Sequence, residues 1–509
     1  MTKLNLSQKD ITHGNYNCLD VIYTREAGLT MDKLIQAKGG KFAELHDYQQ
    51  SKLNKYLLKI MNRGVRVDLE KKEKLKVQLT SLMGEVEHSL AYLLGEPFNP
   101  RSHIQMKAVL GDLLGVNLIK DKKTKKESCS SQYMFAYLKQ YPEYRPLLTL
   151  ILEYRSLGVF LKTFVSAKVD DDGRLRTTFN CAGTKTGRLS SKKTAFGMGA
   201  NLENIPEKGK IPLKYALAKI EGEEGEDDED EELSLAVDEE LEGINKLPNC
   251  KEFFIPDEDF IFWNADYSGA DAMIVAWDSD CAWLKNFFKT REEKLYLYLA
   301  SHYLQQELAW DSEGKPVCEV GKRWYPIFKK WTHATHYKMK DDNAGIGQDL
   351  NTKLRNWYFG KCPEIPDWHS KIEDKCKTKG YVENIFGREM WFLNKDTPTR
   401  LNQAIASIPQ STIADLTNHG LVNIEENYKD MFFGTINNEE EIKKYFKEDK
   451  SSAHCLLQVH DALAGQYHKD DLNALDIIRK SMLIELPYPD KLIVPVDIKT
   501  SPISYGDCH

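Results

Sequence analysis

Phe260-Ile-Phe-Trp-Asn-Ala-Asp266 is a short apolar run that ends on a carboxylate, and its reading decides the fold. Aromatic and branched residues over a stretch too short for a buried helix read as a strand covered by protein. A second run of this kind, Cys455-Leu-Leu-Gln-Val-His-Asp461, delivers another aspartate and is followed by Ala-Leu-Ala. Strand ends suit catalytic groups, because the sheet fixes their direction while the loop leaves them accessible. Either aspartate alone reads first as a capping or turn residue. The pair suggests a shared divalent-metal site, since Mg²⁺ takes one or two carboxylates plus substrate phosphates rather than a full protein cage.

Between the two runs lies a mostly helical block, 291–392, dense in Trp, Tyr and Lys. Within it Lys329, His333 and Tyr337 recur at i, i+4 and i+8 and line one helix face. Such a face suits a polyphosphate with a base stacked above it, although on periodicity alone it reads first as an exposed helix face. His333-Ala-Thr-His336 lacks the Glu of an HExxH and a third ligand, which disfavours a metal pair. Upstream, 41–165 reads as helical, with Leu53, Tyr56, Leu57, Ile60 and Met61 periodic and Gly64 as a stop. Its Lys71, Lys72, Lys74, Lys76 run reads as a solvated helix face before it reads as a nucleic-acid contact. Residues 168–206 turn rich in Gly, Ser, Thr and Asn, and no internal repeat is present.

The 509 residues, with 41% hydrophobic, 29% charged, 18 Pro and 31 Gly, exclude collagen-like, low-complexity and wholly disordered classes. They also exceed the roughly 250–300 residues at which single cores stop growing. The net charge of −7 is set by one segment: 221–242 holds fourteen Asp/Glu and no Lys or Arg, and the remaining residues sum to +7. That tract reads as a disordered surface insertion. Ten scattered cysteines without a CxxC pair read as reduced intracellular thiols. The polar start, 1–15, has no signal-peptide core, and no stretch approaches the ~18–20 apolar residues of a spanning helix. A soluble protein of the cytoplasm, without a membrane partner, is the expectation.

These residues carry a resemblance to the family A DNA polymerases, the class of bacterial polymerase I and the T7-type phage replicases. Asp266-Tyr-Ser-Gly-Ala-Asp271 resembles the family's motif A, Lys329 to Tyr337 falls on motif B, and Gln458-Val-His-Asp-Ala-Leu463 resembles motif C. Phe98-Asn-Pro-Arg-Ser-His-Ile-Gln105 resembles a thumb signature and Leu152-Glu-Tyr-Arg155 the helix before the palm. Thr186-Gly-Arg-Leu-Ser-Ser191 and Asn201-Leu-Glu-Asn-Ile-Pro206 resemble the template and primer strap. Tyr358-Phe, Cys362-Pro363, Gly380-Tyr-Val-Glu383, Phe386-Gly-Arg388, Gln410-Ser-Thr and a final His509 continue the match in order over about 50–509.

The resemblance implies an α+β right-hand fold. It places an exonuclease-like remnant at 1–48, a thumb at 49–165, and a first part of the palm at 166–290, which contains the 221–242 insertion. The fingers follow at 291–399 and the second part of the palm at 400–509. It further implies two Mg²⁺ ions, with Mn²⁺ able to substitute, held by Asp266, Asp461 and Tyr267. Lys329 joins the two aspartates as a catalytic residue. Asp271, Lys329, His333, Tyr337 and Arg323 would bind the dNTP. Arg188, Gln410, His460, Asn204, Ser102 and His509 would contact primer-template DNA. The short, T7-like layout suggests phage DNA replication in a host cytoplasm.

The chain departs from the family pattern in places. Tyr325 stands where the family has an Arg, with Arg323 two residues away; His333 replaces an aromatic and Lys338 a Gly. The steric gate, usually Glu, is Asp271, one methylene shorter, and deoxyribonucleotide preference is still expected because a carboxylate remains. Tyr16-Asn-Cys-Leu-Asp-Val21 resembles the last motif of the family's 3′→5′ exonuclease, while the earlier motifs have no chain to occupy. Tyr16 and Asp20 therefore either complete an exonuclease supplied by another chain or belong to a vestigial docking helix. Two competing readings are a single-subunit RNA polymerase, disfavoured by Asp271, and an inactive DNA-binding accessory protein, disfavoured by both aspartates.

Overall fold

A computed structural model describes residues 13–121, 125–205, 249–291, 293–311, 314–339, 346–392, 397–428 and 452–508. The helices are α1 (His13–Lys38), α2 (Gly40–Tyr48), α3 (Asn54–Arg63), α4 (Leu69–Leu94), α5 (His103–Lys107), α6 (Ser131–Gln140), α7 (Arg145–Phe160) and α8 (Ala270–Asp278). They continue with α9 (Ala282–Thr290), α10 (Leu295–Leu304), α11 (Glu319–His336), α12 (Gln348–Lys361), α13 (Glu364–Lys379), α14 (Pro398–Asn427) and α15 (Ala474–Met482). The strands are β1 (Val65–Arg66), β2 (Arg174–Leu175), β3 (Thr178–Asn180), β4 (Ser190–Lys192), β5 (Phe260–Tyr267) and β6 (Tyr381–Glu383). After them come β7 (Glu389–Trp391), β8 (Ala453–Val459), β9 (Ala462–His468), β10 (Glu485–Leu486), β11 (Leu492–Ile493) and β12 (Val496–Ser501).

The two apolar runs become neighbours in one antiparallel sheet of order β12-β5-β9-β8. Its register sets Asp497 opposite Asp266 on one side and Ala462 opposite Asp266 on the other. Both faces of the sheet are covered, which is why these strands read as continuous apolar runs rather than as alternation. Trp263, Ala265 and Tyr267 point into a core shared with α8, α14 and α15. Phe262, Leu456, Leu457 and Val459 enter a second core, built with α4 and α7. Helix α4 forms because Asp68 caps it, accepting from Lys71 N at 3.0 Å, and because Leu75, Leu79, Val86 and Leu90 make its buried stripe. The lysine run on α4 has local work: Lys72 donates to Ala167 O, Lys74 pairs with Glu70 and Lys76 with Glu73.

Gly465 sits where β9 passes between β5 and β8. A Cβ there would lie 2.0 Å from His454 O and 2.6 Å from the Trp263 ring. Neither backbone nor a fully buried indole can give way, so Gly465→Ala is expected to cost about 1–3 kcal/mol of unfolding free energy in urea titration. An unchanged midpoint would contradict this packing.

Candidate active site

The strand β5 ends on Asp266 and Tyr267, and Gly269, at φ +68°, turns the chain into α8 with Asp271 in its first turn. Opposite, the β8–β9 hairpin carries His460 and Asp461 in its turn, His460 at φ +55°. Asp266 is accessible to solvent, but dense protein surrounds it. That burial, together with the Asp461 carboxylate, raises its carboxyl from 3.8 to about 6; the Lys329 ammonium opposes the rise and the Asp497 carboxylate adds to it. Asp461 is paired with Arg188, whose Nη2 lies 3.1 Å from both carboxylate oxygens. The Nε of Arg188 is buried and has no hydrogen-bond partner among the described residues.

The stripe on α11 is turned towards Asp266 and Asp271. Lys329 is exposed at the cleft, Tyr337 O–H donates to Asp271 Oδ2, and His333 Nδ1 lies 3.3 Å from Asp271 Oδ1. Burial of Asp271 acts to raise its carboxyl, but His333 and the Tyr337 hydroxyl outweigh it and hold the group below the ordinary range. His336 points the other way, its ring in hydrogen-bond contact with Tyr358 O–H at 2.7 Å, and burial pushes it down to about 3. No His333–His336 metal pair forms.

Some expected residues take other roles. The Tyr267 phenol is buried and donates to Met482 O at 2.9 Å, so only its main chain remains to meet a metal. Arg323 is exposed and lies about 120° around α11 from Lys329, outside the stripe. Tyr325 packs edge-on against Tyr296, with ring centroids 5.6 Å apart. Ser102 caps α5, its Oγ accepting from Gln105 N at 3.4 Å, and nothing among the described residues brings it to the two aspartates. Gln410 is half-buried on α14. Further along that helix Asn418 Nδ2 donates to Gly187 O at 3.3 Å, joining α14 to the Arg188 loop. Asn204 lies half-buried in a turn beside Glu203, and His460 is exposed in its hairpin. Lys338 takes φ +65°, a conformation that favours glycine, and pairs with Glu373. Asp20 is exposed on α1. His509, the 221–242 tract and the Tyr16 side chain fall outside the described residues.

The structure adds residues that the sequence reading passed over. Burial raises the Glu203 carboxyl to about 8, with Arg188 opposing the rise and Asp461 adding to it, so this acid is largely neutral at physiological pH. Lys294 donates to Ser268 Oγ and lies 4.0 Å from Asp497. Tyr296 O–H lies 3.3 Å from His333 Nε2. Glu203 lies inside the Asn201–Pro206 motif quoted above, whereas Lys294 and Tyr296 are brought to the site only by the fold, which spacing along the chain does not reveal.

Among the described residues no group of three or more His, Cys, Asp or Glu could hold a metal ion. Two coupled carboxylates, one held well above its ordinary range by the other and by burial, are a poor transition-metal cage. They suit a hard divalent cation that also takes phosphate oxygens and water. In metal-free protein, the stability that Asp266 lends is present below its unfolded value and is lost as pH rises through about 6. Asp266→Asn is therefore expected to raise the melting temperature at pH 7.5 without metal, the gain fading towards pH 4. A melting temperature that falls at pH 7.5 would contradict this electrostatic picture.

A four-stranded antiparallel palm carrying two aspartates, faced by a helix that presents lysine, histidine and tyrosine, defines the right-hand polymerase class of α+β fold. Residues 69–503 match DNA polymerase family A, and the chain belongs to that family. It is 25% identical over 493 residues to the thermostable DNA polymerase I of Thermus filiformis, covering 93% of this chain and 50% of that protein. It is 22% identical to DNA polymerase I of Geobacillus stearothermophilus, covering 83% and 42%. The chain thus spans about half the length of the curated relatives it matches. A solved structure of the POL domain of Pol1 from M. smegmatis, in complex with DNA primer-template and dNTP, superposes with a TM-score of 0.65 at 20% identity. It covers 90% of this chain and 70% of that one. Among the described residues no helix is long and apolar enough to cross a membrane.

Proposed function

We propose that this chain is a template-directed DNA polymerase that adds dNTPs to a primer 3′ hydroxyl. The observation that carries the reading is the meeting of Asp266, Asp461 and Lys329, from three separate segments, in one electrostatically coupled cluster, with Asp271 met by the same helix face as Lys329. The relatives named above are DNA polymerase I proteins, and the solved neighbour holds primer-template DNA and dNTP. Both support the same partners for this chain.

Asp266 and Asp461 would hold two Mg²⁺ ions, for which Mn²⁺ can substitute. Bound there, such ions would supply Lewis-acid chemistry that makes the primer hydroxyl more acidic and offsets charge on the phosphates. The residues do the rest. Lys329 projects its ammonium to the triphosphate, Tyr337 and His333 meet the nucleotide above Asp271, and the Asp271 carboxylate excludes a ribose 2′ hydroxyl. Arg188 presents its guanidinium to the primer strand, with Gln410, His460 and Asn204 as further DNA contacts. Contacts of this kind to backbone and minor groove are largely independent of sequence, as copying requires.

The same reading divides the chain into the remnant (1–48), thumb (49–165), palm (166–290 and 400–509) and fingers (291–399). Phage replication in a host cytoplasm is the finer form of this proposal; the relatives named above are bacterial. A separate 3′→5′ exonuclease chain that uses Tyr16 and Asp20 is the corresponding partner proposal. Mixing the two and seeing neither complex formation nor mismatch excision would leave α1 a docking helix only. Primer extension run with dNTPs and NTPs in parallel tests the main reading. Mg²⁺-dependent extension that strongly prefers dNTPs is expected; NTP-only extension favours the RNA polymerase reading, and no extension favours the accessory protein.

A further inference from the structure

Both oxygens of Asp271 are approached by side chains of the α11 stripe, and one of those side chains is itself held from a third element. Tyr337 O–H donates to Oδ2, and His333 Nδ1 lies 3.3 Å from Oδ1, a close charge contact to a buried oxygen that has no hydrogen-bond partner among the described residues. On the far side of the imidazole, Nε2 lies 3.3 Å from the hydroxyl of Tyr296 on α10. The Tyr296 and His333 rings also pack together, with centroids 5.9 Å apart, and Tyr296 is buried. An imidazole that accepts the Tyr296 proton at Nε2 must carry its own proton on Nδ1, where it faces the carboxylate. The opposite tautomer would set a nitrogen lone pair against a carboxylate oxygen, which is repulsive. With the Tyr296 hydroxyl as donor to a neutral imidazole, the contact selects the tautomer in which His333 attracts Asp271.

We propose that Tyr296 and His333 form a brace that holds the short Asp271 carboxylate in place, making Tyr296 a positioning residue for ribose selection. The inference rests on the polymerase reading and on Asp271 as its gate. An aspartate reaches one methylene less far than a glutamate, so its power to block a 2′ hydroxyl depends on where its neighbours hold it. Tyr296 acts only through His333. Its effect therefore belongs in nucleotide selection, whereas a residue that only packed the fingers would alter dNTP and rNTP use alike.

The test is the ratio of kcat/KM for dNTP over rNTP in single-nucleotide extension by the full chain, compared for wild type, Tyr296→Phe, His333→Phe and the double variant. Each single change is expected to lower the ratio by about tenfold, the scale of one close polar contact to a charged group. The double variant should fall no further than His333→Phe. His333→Asn supplies a second probe, because its amide nitrogen can donate from the place of Nδ1 without help from Tyr296. In that background Tyr296→Phe should leave the ratio unmoved. Additive effects, a Tyr296→Phe ratio equal to wild type, or losses shared equally by both nucleotides would overturn the brace. Wild-type protein that extends primers but uses dNTP and rNTP equally overturns the gate, and the brace with it. Absence of any extension overturns the polymerase reading beneath both.

Discussion

Replacing Asp461 by alanine is expected to cut Mg²⁺-dependent primer extension by about three to four orders of magnitude, a loss of roughly 4–5 kcal/mol of transition-state stabilisation. The size follows from the site's economy in carboxylates. Removing Asp461 takes away one of the two carboxylates that the proposed ions would share. Asp266→Ala should be equally severe. The two variants are expected to differ in DNA affinity. Arg188 is held by Asp461 at 3.1 Å, and removing that carboxylate frees a guanidinium for the primer strand. Primer-template binding by Asp461→Ala, measured by fluorescence anisotropy, should therefore be as tight as wild type or tighter, with the loss confined to kcat. A variant whose binding collapses in step with its rate would show that Asp461 positions DNA rather than the reacting groups.

The second large effect concerns stability and lies away from the cleft. Glu425, on α14, is buried with Arg63 Nη1 3.0 Å from its Oε1 and Lys59 Nζ 3.6 Å from Oε2. The same Oε1 accepts from Cys455 N at 2.9 Å, and Arg63 Nη1 donates to Cys455 O at 2.6 Å. One carboxylate thus ties α3, α14 and the start of β8 together. Glu425→Ala leaves the Arg63 charge buried without its counter-ion and the Cys455 amide without an acceptor, and is expected to cost about 3–5 kcal/mol in denaturant unfolding. Burial acts to raise the Glu425 carboxyl, but Arg63 and Lys59 overcome it and hold the group below its ordinary value. Its contribution is therefore present above the unfolded carboxyl value and fades as pH falls through the depressed folded one. The gap between wild type and Glu425→Ala should shrink in acid. A gap that stays constant down to acid unfolding would mean that packing, rather than charge, carries the effect.

The two predictions differ in how visible their residues are along the chain. Asp266 and Asp461 stand out because each ends an apolar run, and the run is apolar because the sheet is covered on both faces. Lys329, His333 and Tyr337 stand out because helix periodicity sets them on one stripe. Glu425 has no such mark: it sits in the long helix α14, and its partners are 362, 366 and 30 residues away. Helix geometry sets Arg323 apart from the position of the absent arginine, since two positions along an α-helix turn a side chain far around the axis. Lys338 at a glycine position is a different case. The backbone conformation persists at φ +65°, and the ion pair with Glu373 holds a residue for which that conformation is costly.

By itself the sequence determined the strands that bear the aspartates, the helix that bears the lysine, and the family to which their order points. Periodicity and local apolar content are properties of neighbouring residues, and those are written along the chain. Which carboxylate feels which charge was decided only by the tertiary structure. Register brings Asp497 beside Asp266, the β8–β9 turn brings Asp461, and the packing of α10 on α11 sets Tyr296 behind His333. Electrostatic coupling and hydrogen bonding depend on distances of a few ångströms between segments far apart in sequence. Strand pairing and helix packing, rather than spacing along the chain, fix those distances.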